Sequence, residues 1–182
     1  KLINTREEEF LAGSRPRVFM KIYVKMGFKK DGRIRAKQTR VIADNGAYSA
    51  KAPAITGVAA LRHDTCYRYS DVKTQAYLVY TNKIPTGAFR GFGNPSAEWA
   101  VEQAIDEAAH ELGIDPLEVA RINAAEPGYV SPHGNRVTSC ELKQCIDLAE
   151  KMMDWKNKRA NKKPNTGLGL ACTVHVSGKR HF

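Results

Sequence analysis

The stretch that decides the fold is residues 17–44, which read RVFMKIYVKMGFKKDGRIRAKQTRVIAD. In its first part, aliphatic side chains at even positions alternate with aromatic or basic side chains at odd positions, the period of a half-buried strand. Asp31-Gly32 is a turn signal, and residues 33–44 resume the strand pattern. The stretch therefore predicts a β-hairpin, and residues 71–81 predict one more strand by the same alternation.

The second half of the chain has helical patterns. Asn94-Pro95 predicts a capped helix start, apolar residues follow at helical spacing, and Gly113 predicts a left-handed end. Asp115-Pro116 predicts a short helix that ends near Ile122, and residues 138–153 predict a third helix. Strands followed by helices predict an α+β fold, with antiparallel strands and then packed helices.

The composition is that of a folded protein with an excess of positive charge. The chain has 182 residues and a net charge of +10, concentrated in residues 29–37 and 156–163. The charges of the first segment alternate on a predicted strand, so they are expected to share one solvent-facing side. No known nucleic-acid-binding motif accompanies them, which favours a solvated surface but leaves an anionic partner open.

Cysteine and histidine spacing gives no metal site. Four cysteines without Cys-x-x-Cys spacing are interpreted as reduced, buried thiols of a cytosolic protein: Cys66, Cys140, Cys145 and Cys172. The five histidines are scattered and are expected to lie at the surface or in satisfied core positions. No apolar run is long enough to cross a bilayer, so no membrane contact is expected. A start without Met suggests a piece of a longer polypeptide.

The loop Gly87-Ala88-Phe89-Arg90-Gly91-Phe92-Gly93 is the candidate functional element. Its glycines would let backbone approach a ligand, and the helix that follows offers free N–H groups to an anion. Arg90 adds a planar, charged fork, while Phe89 and Phe92 must pack inward or stack on a flat ligand. The competing interpretation is a plain strand-to-helix turn with both rings in the core. The spacing fits neither a Walker A nor a dinucleotide-binding motif.

This loop with Asn94-Pro95, followed by Ala97, Ala100 and Glu102, resembles the molybdenum hydroxylases, the xanthine dehydrogenase family that includes aldehyde oxidoreductases and 4-hydroxybenzoyl-CoA reductase. Further pieces fall in the order of that family: Arg6-x-Glu8-Glu9-Phe10, Gly27-Phe28 with Asp31-Gly32, Asn45-Gly46-Ala47-Tyr48, Cys66-Tyr67, Thr81-Asn82, Gly113-Ile114-Asp115-Pro116 and Arg121-Ile122-Asn123.

The resemblance implies an internal segment of a large molybdopterin-binding subunit in a cytoplasmic enzyme. Residues 1–155 would be the C-terminal part of a first molybdopterin-binding domain, residues 156–166 a linker, and residues 167–182 the first strand of a second such domain. The implied cofactor is molybdopterin with molybdenum, in plain or cytosine dinucleotide form. The implied partners are the rest of the subunit, 2Fe-2S and FAD domains or subunits, and a small ring or aldehyde substrate.

The resemblance also implies the reaction and the site residues. Metal-bound oxygen would hydroxylate an aromatic, N-heterocyclic or aldehyde substrate, or the enzyme would reduce it, with electrons passing through iron–sulfur centres. Phe89, Arg90 and Gly91 would contact the cofactor, and Phe92 would stack on a substrate ring. Purine-specific members carry an arginine where this chain has Val58, so a less polar ring is expected there.

The family's catalytic base is absent from these residues, so the segment alone is expected to be inactive. The competing function is a basic anion- or nucleic-acid-binding module without catalysis, which a salt titration of binding would reveal. A scaffold segment that serves only subunit contact is a third interpretation, and it predicts an exposed apolar patch.

Overall fold

The structure is a computed structural model that describes residues 2–13 and 15–175. A three-stranded sheet is followed by a helical half. Within these residues the strands are β1 (Met20–Phe28), β2 (Ile34–Gly46) and β3 (Asp71–Tyr80), and the α-helices are α1 (Arg6–Glu8), α2 (Ala52–Leu61), α3 (Asn94–Leu112), α4 (Pro116–Asn123), α5 (Leu142–Met153) and α6 (Trp155–Ala160).

The predicted hairpin is confirmed, and it forms the first two strands of the sheet. β1 and β2 pair antiparallel from Met20 opposite Ala43 to Phe28 opposite Ile34. Gly32 turns between them with φ 85°, the left-handed conformation that favours glycine. The local turn signal was therefore sufficient to pair two neighbouring strands.

The prediction of antiparallel strands is wrong for β3, because β3 pairs parallel with β2. A parallel neighbour needs a crossover connection, and α2 supplies it between the two strands. Residues 49–62 show no clear periodicity in the sequence, because α2 is buried on most sides and so lacks a polar stripe. Its buried residues are Ala52, Ile55, Thr56, Val58, Ala59 and Ala60. The fold remains α+β, with a mixed sheet.

The larger hydrophobic core lies between one face of the sheet and the helices. It includes Tyr67, Val101, Leu117, Ile146 and Trp155, each at most 2% exposed. Burying one such large side chain contributes roughly 1.5–3 kcal/mol. A smaller cluster of Val18, Ala43, Ala52 and Ile55 lies against the loop that precedes α3.

The helix boundaries agree with most of the capping signals. Gly113 ends α3 in the left-handed conformation, and the Asp115 side chain accepts a hydrogen bond from Leu117 N at 2.8 Å to cap α4. Asn94, however, is not the cap of α3: Gly93 holds that position, and the Asn94 amide points elsewhere. The third helix begins at Leu142 instead of Thr138.

The first part of the predicted linker, residues 156–166, is helical, because α6 extends to Ala160. The indole of Trp155 is buried and donates to the Asp115 carboxylate at 3.0 Å, which fixes the start of α6 on α4. Residues 167–175 are extended and form no β-ladder within the described chain. Residues 176–182 of the predicted strand lie outside the described residues, and the proposed division into two domains stays a prediction.

The basic segments are less free than their sequence indicated. Lys37, predicted on a solvent-facing side, is 2% exposed and pairs with the buried Asp64. In the second segment Lys156 pairs with Glu150 at 3.5 Å, and Arg159 pairs with Asp115 at 3.4 Å. Part of the excess charge therefore has acidic partners inside the chain.

Among the residues that the structure describes, no helix combines the length and the apolar character that crossing a lipid bilayer requires.

Candidate functional site

The loop of residues 87–93 lies beyond the ends of β2 and β3. Gly87 N donates to Pro16 O at 2.9 Å, and the neighbouring Thr86 hydroxyl donates to Asp44 O at 2.7 Å. Thr86 N also donates to Asn45 O at 3.1 Å. These bonds tie the loop's first residues to the chain before β1 and to the end of β2. The loop is therefore held by the sheet at one end and by α3 at the other.

Two of its glycines are required by the loop's own packing. Gly91 and Gly93 have φ 91° and 93°, a region that other residues rarely adopt. An added Cβ would lie 2.3 Å from Pro95 Cγ at position 91 and 2.6 Å from Ile55 O at position 93. Both positions therefore require glycine for a close approach within the chain, and the contact of Gly91 with a ligand stays a prediction.

Phe92 is the strained residue of the loop. Its φ is 52°, whereas the other non-glycine residues with positive φ in the described chain are Asp154 and Asn165, types that tolerate this conformation better. The ring is half-buried and packs on the small cluster around Ile55. Packing holds the strained backbone in place, and such residues concentrate at functional sites.

Phe89 and Arg90 lie on the outer side of the loop. Phe89 is 60% exposed, with the Arg17 guanidinium 4.8 Å from its ring centre. Arg90 is exposed and has no hydrogen bond or ion pair to any described residue. The interpretation as a plain turn with both rings in the core therefore holds for Phe92 alone.

The backbone near Arg90 has free donors. The N–H groups of Phe89, Arg90 and Gly91 have no acceptor among the described residues, and no side chain caps α3. An exposed guanidinium beside loop N–H groups that have no acceptor in the described chain is suited to bind a phosphate or carboxylate.

Asn45 is a buried polar residue that sequence reasoning did not treat as a site. It is fully buried at the end of β2, and neither its Oδ1 nor its Nδ2 has a partner in the described part of the chain. An unpartnered buried amide is costly, so such groups call for a ligand or an ordered water. The sequence signal was Asn45-Gly46-Ala47-Tyr48, which carried only a resemblance.

Val58 lies on α2 and is 4% exposed. A side chain this buried has little surface to offer a ligand in this conformation, so its contact with a substrate stays a prediction. Its neighbour Gly57 is less buried, and a Cβ added there would meet no atom within 4 Å. Open space on α2 is therefore at position 57, one residue before the predicted one.

A buried charge cluster was missed by the sequence analysis. Asp64, which is fully buried, accepts one hydrogen bond from Lys37 Nζ and contacts His133 Nδ1. Lys37 Nζ also lies 4.3 Å from the centre of the Tyr69 ring. Burial lowers the pKa of Lys37, and burial together with the Lys37 charge lowers the pKa of His63 to about 3. The partners come from distant parts of the chain, so no local pattern reveals them.

The cysteines differ from the prediction of four buried thiols. Cys66 and Cys172 are buried, but Cys145 is exposed and Cys140 is intermediate, and all four are free. Burial raises the pKa of the Cys66 thiol and raises that of Cys172 to about 11, so both are protonated at neutral pH. Within residues 2–13 and 15–175, no three His, Cys, Asp or Glu side chains are grouped to hold a metal ion.

Two carboxyl groups of α3 are buried behind the loop. Burial raises the pKa of Glu98 to about 8 and that of Glu102 to about 7. Hydrogen bonds from Val174 N and Asn94, together with the charge of Lys37, oppose this effect at Glu98 without cancelling it. Glu98 is therefore mostly protonated at pH 7 in the folded chain.

We expect Glu98→Gln to flatten the pH dependence of stability. The unfolded carboxyl titrates near its ordinary value of 4.5 and the folded one near 8, so stability is greatest at low pH and falls as pH rises between these values. The variant should remove up to roughly 1.4 kcal/mol per pH unit of this slope. Melting temperatures at pH 5–8 measure it, with the exposed Glu107→Gln on the same helix as control. Parallel curves for wild type and Glu98→Gln would contradict the expectation.

Comparisons with known proteins agree with this geometry. The family model of the molybdopterin cofactor-binding domain matches residues 1–124. The Xanthine dehydrogenase molybdenum-binding subunit of Escherichia coli O157:H7 is 36% identical, over 97% of this chain and 24% of its own length. The Nicotinate dehydrogenase large molybdopterin subunit of Eubacterium barkeri is 37% identical, over 70% of this chain and 30% of its own length.

A solved structure shares the fold. Quinoline 2-oxidoreductase from Pseudomonas putida 86 superposes with a TM-score of 0.76 and 30% identity, over 88% of this chain and 21% of that one. The α+β architecture is thus shared with part of that oxidoreductase. The chain belongs to the molybdopterin cofactor-binding domain family. It spans about a quarter of the length of the curated relatives that match most of it.

Proposed function

We propose that this chain is the molybdopterin-binding segment of a xanthine dehydrogenase-family oxidoreductase, and that Phe89, Arg90 and Gly91 contact the cofactor. The observation that carries the proposal is Arg90: an exposed guanidinium, without a partner among the described residues, on a loop held by the sheet and by α3. A structural arginine would normally be paired or packed, whereas this one is available to a ligand.

The residues present fit an anionic, ring-bearing cofactor. The guanidinium and the free N–H groups of Phe89 and Gly91 suit phosphate or polar ring atoms, and the exposed Phe89 ring offers a flat face. Asn45 lies at the same end of the sheet, but its side chain is fully buried and offers no surface to the cofactor in this conformation. When bound, the molybdenum cofactor supplies the oxidation–reduction chemistry, and this chain binds and orients it.

The substrate is proposed to be a small heteroaromatic ring or an aldehyde. Phe92, half-buried on one side, is the proposed stacking residue. Where Val58 stands, α2 presents an apolar residue instead of the arginine expected of purine-specific enzymes, which supports a less polar ring. Open space beside Gly57 is consistent with a bulkier one.

The proposed partners follow from the family and from the length of the relatives. Iron–sulfur and FAD domains or subunits would take up the electrons, and the rest of the molybdopterin subunit would complete the site. A relative is named as one molybdenum-binding subunit, which supports an enzyme of several subunits. The catalytic base is proposed to come from residues outside this sequence.

Analysis of the purified full-length protein for molybdenum and pterin tests the proposal. We expect close to one molybdenum and one pterin per chain, together with oxidation of a heteroaromatic or aldehyde substrate. Protein without either component, but with tight and steeply salt-dependent binding of RNA or DNA, would instead favour the basic nucleic-acid-binding alternative.

A further inference from the structure

An extended segment lies along α3 and is held there by side chains of that helix. In residues 167–175, exposed side chains alternate with side chains that are buried or partly buried. The second set packs against the larger core and consists of Leu168, Leu170, Cys172 and Val174. The backbone of the same segment is bonded to α3: Cys172 N donates to Glu102 Oε2 at 3.1 Å, and Val174 N donates to Glu98 Oε1 at 3.5 Å.

The spacing of these groups explains why a helix can hold an extended chain. Glu98 and Glu102 are four residues apart on α3, a rise of about 6 Å. The N–H groups of Cys172 and Val174 are two residues apart in extended chain, about 6.6 Å. The spacing of the two carboxyl groups along α3 therefore matches the spacing of the two N–H groups along the segment. The segment runs antiparallel to the helix.

Asn94 links the segment to the candidate cofactor loop, because it lies on the same side of α3 as Glu98 and bonds both the segment and the loop. It stands one turn before Glu98, is 2% exposed, and its Nδ2 donates to Val174 O at 2.6 Å. Its backbone N–H donates to Gly91 O at 3.1 Å. One residue thus bonds the loop through its backbone and the segment through its side chain.

We propose that Glu98 and Glu102 are positioning residues: by docking residues 167–175 on α3 they fix Asn94 and, through it, the conformation of the loop of residues 87–93. The role of that loop in holding the cofactor rests on the proposed function. The coupling between segment and loop does not, because it is a property of the chain without cofactor.

The burial of these carboxyl groups is a cost that packing alone does not explain. Glu98 Oε2 has no partner among the described residues, and an unpaired buried oxygen destabilises the fold, whereas the Tyr67 hydroxyl lies beside the Glu102 carboxyl. The charged and titratable groups around them are Lys37 on β2, Cys66, Tyr67 and Tyr69 before β3, Cys172 in the segment and Asp106 on α3. Apolar residues would fill the same space, whereas only an acceptor oxygen can bind the N–H groups of the segment.

Hydrogen exchange of the full-length protein, purified without molybdenum, tests the coupling. In Glu98→Ala/Glu102→Ala we expect the amides of Cys172 and Val174 to exchange at least about tenfold faster, and those of Phe92 and Asn94 about fivefold faster. Glu98→Gln/Glu102→Gln retains an acceptor oxygen at each position and should stay within about twofold of wild type. Glu107→Ala, exposed on the same helix, is the matched control and should change neither region.

The remaining outcomes decide between the parts of the proposal. Faster exchange in the segment with an unchanged loop overturns the coupling, and an unchanged segment overturns the docking. If the alanine pair also loses protection across β1 and β2, Asn94→Ala decides: it should loosen Phe92 while leaving Cys172 protected, and an unaffected loop overturns the proposal. Molybdenum assays on separately prepared loaded protein test the proposed function independently, since its failure would leave the exchange results standing.

Discussion

Arg90→Ala is expected to lower the molybdenum content or the turnover of the full-length protein at least about tenfold. A charge-assisted, two-pronged hydrogen bond contributes roughly 1.5–3 kcal/mol, and about 1.4 kcal/mol is a factor of ten in affinity. Because Arg90 is exposed and has no partner among the described residues, its removal should change the free energy of unfolding by less than about 0.5 kcal/mol.

This separation of binding from stability makes the result decisive. Arg90→Lys keeps the charge but loses the planar fork, so we expect it to recover only part of the loss. Arg40→Ala, which removes an exposed arginine stacked on Tyr23 at 4.8 Å, is the matched control and should retain full molybdenum content. Wild-type metal content and wild-type turnover in Arg90→Ala together would refute the proposed role of the loop.

Asp64→Ala is expected to destabilise the chain by about 3–5 kcal/mol. The substitution leaves the Lys37 ammonium buried without its carboxylate, and breaking a buried pair from one side costs about that much. For a domain of this size the melting temperature should fall by roughly 10 °C or more. Thermal unfolding of the full-length protein measures the melting temperature. Hydrogen exchange of the β2 amides then measures the loss of stability in the part of the chain around Lys37.

A second substitution separates the charge from the packing. Lys37→Met in the Asp64→Ala background removes the uncompensated charge and should recover a large part of the lost stability. Asp71→Ala breaks the exposed pair with Arg35 at 3.6 Å and should cost less than about 1 kcal/mol. Equal losses in Asp71→Ala and Asp64→Ala would show that burial does not set the strength of the Asp64 pair.

The sequence was sufficient wherever the signal was local. The hairpin follows from alternation around Asp31-Gly32, and the ends of α3 and α4 follow from Gly113 and Asp115, whose conformations depend on near neighbours. The loop was located for the same reason, because a glycine-rich turn before a helix is visible in nine residues. Its family was recognised from the same motif.

The predictions that were wrong concern features that depend on residues distant in sequence. The parallel pairing of β3 depends on a crossover through α2, and α2 has no stripe because it is buried on most sides. Lys37 was predicted to face solvent because its partner Asp64 lies 27 residues away, and no local pattern shows that the two side chains meet. In the loop, the strained φ of Phe92 follows from packing on residues of β2 and α2, which no local pattern contains.

The close approach of Gly93 to the Ile55 carbonyl has a consequence for how the loop and α2 can change in sequence. Because an added Cβ would lie only 2.6 Å from that carbonyl, a side chain at position 93 requires α2 to move away from the loop. Mutational effects on the two elements should consequently be epistatic, with the cost of a change in one depending on the residue present in the other. A substitution in the loop of residues 87–93 would then be tolerated only together with a compensating substitution in α2. Single substitutions in either element would be lost by selection.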